Sequence, residues 1–314
     1  MSSQNTNDIN IKQNEPENLD RLYAQAVLYS SAKRYKGLQI FLSILLLVVV
    51  SLTKIYYYQW KIESFLGLSW ETISPWLSLT SLFIALSNTF FIKEIISRRV
   101  KLAAIIQYEF DSIVLSIPIN PFHRGDCASS EEIRKYSLKI KNKSNFDNWY
   151  TPTVSTTDFS LGKFLCLRSN FSWDSGLRKR YTYILSGCGV FITIVFITFN
   201  FISEITFKEF ILNLIIPLVP LIIFIGTEII DNFKTIKSKD KAKNILEKLS
   251  KKIIEGKLSL NEIDYYSASM LDVLYYSRKD NPLIFDHVYK LFKKKDQDET
   301  DYSIDKFIKK MKKN

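Results

Sequence analysis

The residues best equipped for chemistry lie together at 168–180: Arg168, Asn170, Trp173, Asp174 and Arg178, with Lys179 and Arg180 directly after. Arg168 and Arg178 can grip phosphate through their planar forks, and Trp173 offers a face on which a base can stack. A structural arrangement uses the same residues: Arg168 pairs with Asp174 in a buried bridge, and Arg178, Lys179 and Arg180 face lipid head groups. Either way the stretch is placed to sense or to couple, because residues 181–203 carry no charge. As a helix that run reaches roughly 35 Å, enough to cross a hydrocarbon core of about 30 Å.

Other chemistry is thinly represented. The chain has no Gly-rich phosphate loop, no G-x-S-x-G elbow and no paired-Cys metal site. His123 and His287 stand far apart without ligand spacing, and Cys127, Cys166 and Cys188 form no disulfide or zinc pattern. No catalytic residue, metal or cofactor is therefore assigned, and the expectation is a protein that is not an enzyme. Ion-coupled transport needs ionisable residues at membrane depth, whereas Lys54, Glu204 and Glu228 fall at the ends of the apolar runs. Those runs instead carry uncharged polar faces: Ser74, Ser78, Ser81 and Asn88 in the second, and Thr182, Ser186, Gly189, Thr193 and Asn200 in the third. Small and hydroxyl residues on one face suit helix packing; a water-contacting face in an assembled pore is the alternative.

The elements that position these residues follow from the distribution of charge. Of 314 residues 46% are hydrophobic, yet they concentrate in four uncharged runs, with Lys and Arg collected between and beyond them. The predicted fold is an all-α integral membrane protein with four transmembrane helices in two hairpins and a mainly helical cytoplasmic region. Residues 1–36 form a cytoplasmic amphipathic segment, 37–92 the first hairpin, 93–180 a cytoplasmic middle region, 181–231 the second hairpin and 232–314 a helical cytoplasmic tail. No cleavable leader is expected, since the first apolar run begins near Leu38 without a small-residue cleavage site. The net charge of +11 suits anionic lipid or a phosphate-rich ligand. Basic residues cluster at 33–36, 93–101, 178–180 and 234–239, against Lys54, Lys61 and Lys208 on the other side, which places both termini in the cytoplasm. The glycosylation patterns at Asn142 and Asn170 then lie on the wrong side to be used.

Local signals add detail. Residues 1–12 are polar and aperiodic, which predicts disorder. Asn14 is the expected N-cap of a helix with Pro16 in its first turn and an apolar face through Leu19, Leu22, Tyr23, Ala26, Tyr29 and Ala32. The first span, about 38–58, ends in an aromatic belt of Tyr56, Tyr57, Tyr58 and Trp60; the second, 72–92, continues past Lys93 as a helix; the fourth, 210–227, is expected to kink at Pro217 and Pro220. Residues 111–118 read as extended. Ser129 with Glu132 and Ser259 with Glu262 are capping boxes, the first opening a helix to about Asn142; Gly256 is a C-cap, and Asn281-Pro282 opens a last helix to about Lys293.

Five stretches together carry a resemblance: QNEPENLDRLYAQAVLYSSAK (13–33), DSIVLSIPIN (111–120), NWYTP (148–152), LRSNFSWDSGLRKRY (167–181) and SRKDNPLIFDHVYKLFK (277–293). In this order around two membrane hairpins they resemble the bacterial SMODS-associated four-transmembrane effector family, over nearly the whole chain. Ile119 stands where that family commonly has tryptophan and Leu167 where it has glutamine, so no ligand contact is assigned to either. The resemblance implies a multi-pass inner-membrane effector of antiphage immunity. A nucleotidyltransferase makes a cyclic oligonucleotide on infection, and the effector, directly or through a partner, permeabilises the membrane and ends the infected cell. It implies the messenger, its cognate nucleotidyltransferase system, the bilayer and further copies of the chain as partners, with no DNA or RNA polymer. Arg168, Asn170, Trp173, Asp174 and Arg178 are then the sensing or coupling residues, and Ser78, Ser81, Asn88, Ser186, Thr193 and Asn200 the membrane polar face. The rival readings are a constitutive ion channel, which conducts without messenger, and a membrane scaffold, which keeps working on a plain tether.

Overall fold

The computed structural model describes residues 7–59, 70–122, 127–143, 146–200 and 207–312. Among them the structure is helical, without strands. In order the α-helices are α1 Ile9–Gln13, α2 Pro16–Gln59, α3 Trp70–Ser87, α4 Lys93–Val114, α5 Ser130–Ser137, α6 Phe159–Asn200, α7 Phe207–Phe210, α8 Ile216–Ile254, α9 Leu260–Asp280 and α10 Asp286–Met311. Two π-helical turns, Asn88–Ile92 and Ile211–Ile215, join α3 to α4 and α7 to α8. The chain divides into two compact units, one of residues 1–32, 97–179 and 233–314, the other of 33–96 and 180–232. Helices α2, α4, α6 and α8 each contribute residues to both.

The first unit is built around α4. Every residue from Ala103 to Ser112 is buried, including Gln107, Glu109 and Asp111. A helix covered all round shows no single apolar face, which is why 111–118 read as extended. Instead the helix runs to Val114 and stops in a Schellman turn: Ile117 N–H bonds Ser112 O at 2.9 Å, Ser116 N–H bonds Ile113 O at 3.2 Å, and Ser116 sits at φ 48°. The same turn closes α8, with Gly256 at φ 65° in the equivalent place. Around α4 pack Leu22 and Leu28 of α2, Phe164 and Phe171 of α6, Leu249 of α8 and Leu274 of α9, in one continuous core.

Several sequence expectations need correction here. Residues 7–12 are ordered: Ile9 is fully buried and Asn7 donates to Val154 O at 2.8 Å, so the low periodicity concealed a short docked helix; residues 1–6 lie outside the described residues. Asn14 does not cap α2. Its side chain bonds Asn10 O and pairs with Asn148, receiving that residue's N–H at 3.0 Å. The face of α2 is wider than a stripe, with 22–25 all buried. Helix α5 ends at Ser137, short of Asn142, and α10 begins at Asp286 and runs to Met311. Both capping boxes are present with both of their bonds.

In the second unit α6 and α8 are long and apolar enough to cross a membrane, and 72–84 is a shorter apolar helix. Leu47, Phe196, Leu218 and Leu221 form its core. The side chains of Tyr56, Tyr57, Tyr58, Asn88 and Asn200, and all of Trp60, lie outside the described residues. The proline effect in the fourth run is specific. Ile216 N–H bonds Ile211 O in π register, so the next donor to Leu212 O should be residue 217, a proline without N–H. Ser78 Oγ of α3 stands in for the missing donor, its one proton shared between Leu212 O and Ser74 O, each 2.9 Å away. Ser78 thus links α3 to the π-turn.

Candidate functional site

Helix α6 presents Asp174, Ser175, Arg178 and Lys179 within little more than one turn, so their side chains lie close together on neighbouring faces. Asp174 receives Arg178 Nε at 2.8 Å and also the Lys239 ammonium of α8. One position along each helix, Asp240 receives Ser175 Oγ at 2.8 Å and Lys179 Nζ at 2.9 Å. The two carboxylates tie α6 to α8 in a fixed register. Arg178 Nη1 donates onward to Pro282 O at 2.7 Å, fixing the link between α9 and α10. Burial alone would raise the Asp174 carboxyl, but Arg178 and Lys239 outweigh it and hold the group well below the usual carboxylate range.

A second buried group lies close by. Asp111 of α4, fully buried, receives Arg278 Nη1 and Tyr150 OH, each at 2.5 Å. Asn170 Nδ2 lies 3.4 Å from Tyr150 OH. Gln13 clamps the Tyr150 backbone from both sides, donating to its O at 3.2 Å and accepting its N–H at 2.7 Å. Tyr29 feels both groups: burial above all, with Asp174 and Asp111 adding and Arg278 and Arg178 opposing, leaves its hydroxyl raised to about 12. Burial and Asp111 likewise drive Tyr150 well above its ordinary value.

The five site residues thus have different fates. Asp174 and Arg178 meet, and Asn170 joins the Asp111 group. Trp173 stacks on Tyr289 of α10, ring centres 6.1 Å apart. Arg168 goes elsewhere: Nη2 lies 3.3 Å from Ser303 Oγ and the guanidinium packs 5.6 Å from the Phe307 ring centre. The expected bridge between Arg168 and Asp174 is replaced by Arg178 and Lys239, and Arg178 turns inward instead of facing head groups. Arg168 and Arg178 do not form one fork, since ten residues separate them by about 15 Å of helix. Sequence reasoning missed Asp111, Tyr150, Lys239, Asp240 and Arg278 as site residues. A signal for three of them existed: Asp111, Tyr150 and Arg278 each lie in a family-like stretch, and all five stretches send side chains into the two groups.

In the second unit the polar face of α6 packs closely at Gly189 and lines a groove beside it. Ser186 Oγ bonds Thr182 O at 2.9 Å, and a Cβ on Gly189 would meet Ile225 Cδ1 at 2.6 Å, so glycine admits that isoleucine. Ser186, Gly189 and Thr193 line an apolar groove of about 370 Å³. Ser81 is fully buried and bonds Leu77 O at 3.1 Å. Lys36 Nζ lies 2.6 Å from Glu228 Oε2, and Lys36 is buried; it pairs within the protein. Among the described residues no group of three or more His, Cys, Asp and Glu is placed to hold a metal ion; His123 lies outside them.

No solved structure matches the chain. A probable CBASS effector molecule of Bacillus cereus (strain VD146) is 27% identical over 293 residues, covering 91% of this chain and 94% of that protein. Residues 7–307 match the SMODS-associating 4TM effector domain. With nearly its whole length inside that match, and with the five stretches converging on one buried region, this membrane protein, helical and without strands among its described residues, belongs to the SMODS-associating four-transmembrane effector family.

Proposed function

We propose that the protein is a non-enzymatic effector of a bacterial antiphage system driven by a cyclic oligonucleotide. On activation it permeabilises the inner membrane and aborts infection. The chain crosses the membrane four times on α2, α3, α6 and α8, with both termini and the first unit in the cytoplasm. Copies assemble around the messenger-bound state. The observation that carries this reading is the continuity of α6: one helix, Phe159–Asn200, holds Asp174 and Arg178 in the buried ionic groups and runs on through the uncharged residues from 181. Family membership and the likeness to a probable CBASS effector support the biological role.

The test is entry of a membrane-impermeant dye into bacteria that express this chain beside an active or a catalytically dead synthase from its own gene neighbourhood. Dye entry with the active synthase alone is the expected result. Entry with both points to a constitutive channel or to plain overexpression toxicity, and entry with neither favours a scaffold.

A further inference from the structure

The first unit contains a cleft of about 270 Å³ between α6, α8 and α9. Phe171 and Lys239 line it from the buried side, while Ser238, Tyr276 and Asp280 stand on its exposed rim. We propose that this cleft binds one nucleotide unit of a cyclic phosphodiester, with Lys239 Nζ as the cation that takes the phosphate. The inference rests on the messenger-driven reading above and gives that reading a place in the molecule.

Three features select the ligand class. First, Lys239 is a buried cation at the wall of an open cleft, where a charge interaction is less screened than in bulk water. Its present partner can spare it: Asp174 also holds Arg178 at 2.8 Å, so a phosphate can draw Lys239 away without stranding a buried carboxylate. Second, Tyr276 at the rim is half exposed and offers an aromatic face to a base, while Phe171 lies buried beneath Lys239, its ring centre 6.0 Å from Nζ, and closes the floor. Third, Asp280 repels a bare phosphate yet accepts from a base N–H or a ribose hydroxyl, so the lining matches a nucleotide better than an inorganic ion. At about 270 Å³ the cleft lies just under the size at which small-ligand pockets begin, about 300 Å³, so it admits no more than one nucleotide unit and the rest of the macrocycle stays outside.

Occupancy has a mechanical consequence. Once Lys239 turns to the phosphate, the Asp174 tie between α6 and α8 is released, and Asp240 with Ser175 and Lys179 remains.

The experiment uses the purified full-length protein in detergent and a calorimetric panel of 3′,5′-linked cyclic dinucleotides and trinucleotides, with AMP and inorganic phosphate for comparison. Two variants are read against the wild type: Lys239→Met, and Val273→Trp, which fills the cleft from a position 48% exposed and leaves the ion pairs untouched. Each is expected to weaken binding of the recognised cyclic nucleotide at least tenfold, with Val273→Trp melting like the wild type. Undiminished binding by Val273→Trp overturns the site, whatever Lys239→Met does. Inorganic phosphate bound as tightly as the cyclic nucleotides overturns the ligand class. If dye entry depends on the active synthase but the wild-type protein binds no member of the panel, the site is lost and the messenger-driven reading stands. Dye entry independent of the synthase removes that reading and the inference with it.

Discussion

The two units hold themselves together differently. In the first, buried charges are matched side chain to side chain: Asp174 with Arg178 and Lys239, Asp111 with Arg278. The second has such a pair too, Lys36 with Glu228, but there Ser78 also reaches a backbone carbonyl and Gly189 makes room for Ile225. The contrast follows from what each medium offers. On the proposed topology the first unit faces water, and such a unit tolerates several buried ions if each is paired, the pairs specifying geometry more than they add stability. Where a chain meets lipid, packing of small residues and backbone satisfaction take over. The first unit is therefore expected to fail sharply when one charge is removed, and the second to soften gradually.

The largest effect should come from Asp174→Asn, which leaves Arg178 and Lys239 buried without their carboxylate and costs about 3–5 kcal/mol. Arg178→Met keeps Lys239 beside Asp174 and should cost clearly less. Denaturant midpoints of the two variants check this, and equal midpoints would break the account of a shared carboxylate. Next is Ser78→Ala in the second unit. It leaves Leu212 O without a side-chain donor, for a loss of about 1–3 kcal/mol that should appear as faster hydrogen exchange confined to the residues around 211–217.

The pH response should separate the same chemistry. Tyr29 and Tyr108 have folded pKa values raised to about 12, so their neutral forms contribute stability below the ordinary tyrosine value of about 10, lost as pH rises towards 12. Asp174 is shifted down, so its contribution is complete above the ordinary aspartate value of about 3.9 and is lost only in stronger acid. Melting curves from pH 4 to 11 should therefore show the first unit weakening on the alkaline side, and Tyr29→Phe should blunt that loss. The smallest effect is Ser116→Gly. It relieves a left-handed residue and should stabilise the first unit by about 1 kcal/mol, provided the Lys12 Nζ bond to Ser116 Oγ at 2.9 Å contributes little at this exposed position. A lower midpoint would show that this bond outweighs the backbone strain.

How much of this was legible in the sequence depended on how local the cause was. Ser129 with Glu132, Ser259 with Glu262 and Gly256 act within one helical turn, and all three appear in the structure where the spacing puts them. The run of α4 beyond Lys93 was readable from its period, until the helix became buried on every side and the period vanished at Asp111. Partner choice was less accessible. Arg168 and Arg178 look equivalent along the chain, but only Arg178 stands one turn from Asp174, and nothing local announces that Lys239, a long way on, completes the pair. Asn14 shows the same limit: its side chain was claimed by Asn148, a contact between distant segments that overrode a good local cap. Two of the four expected spans show as long apolar helices, the second as a shorter one.

The π-turn at Ile211–Ile215 carries a further implication. It is a helix with one surplus residue wound in, and Ser78 holds the carbonyl that this surplus leaves bare. If that residue were expelled, the helix on one side would rotate by about 100° and slide by about 1.5 Å relative to the other. On this geometry the fourth apolar run would turn as a screw when that residue leaves, and the Ser78 hydroxyl on α3 is the contact that would have to let go.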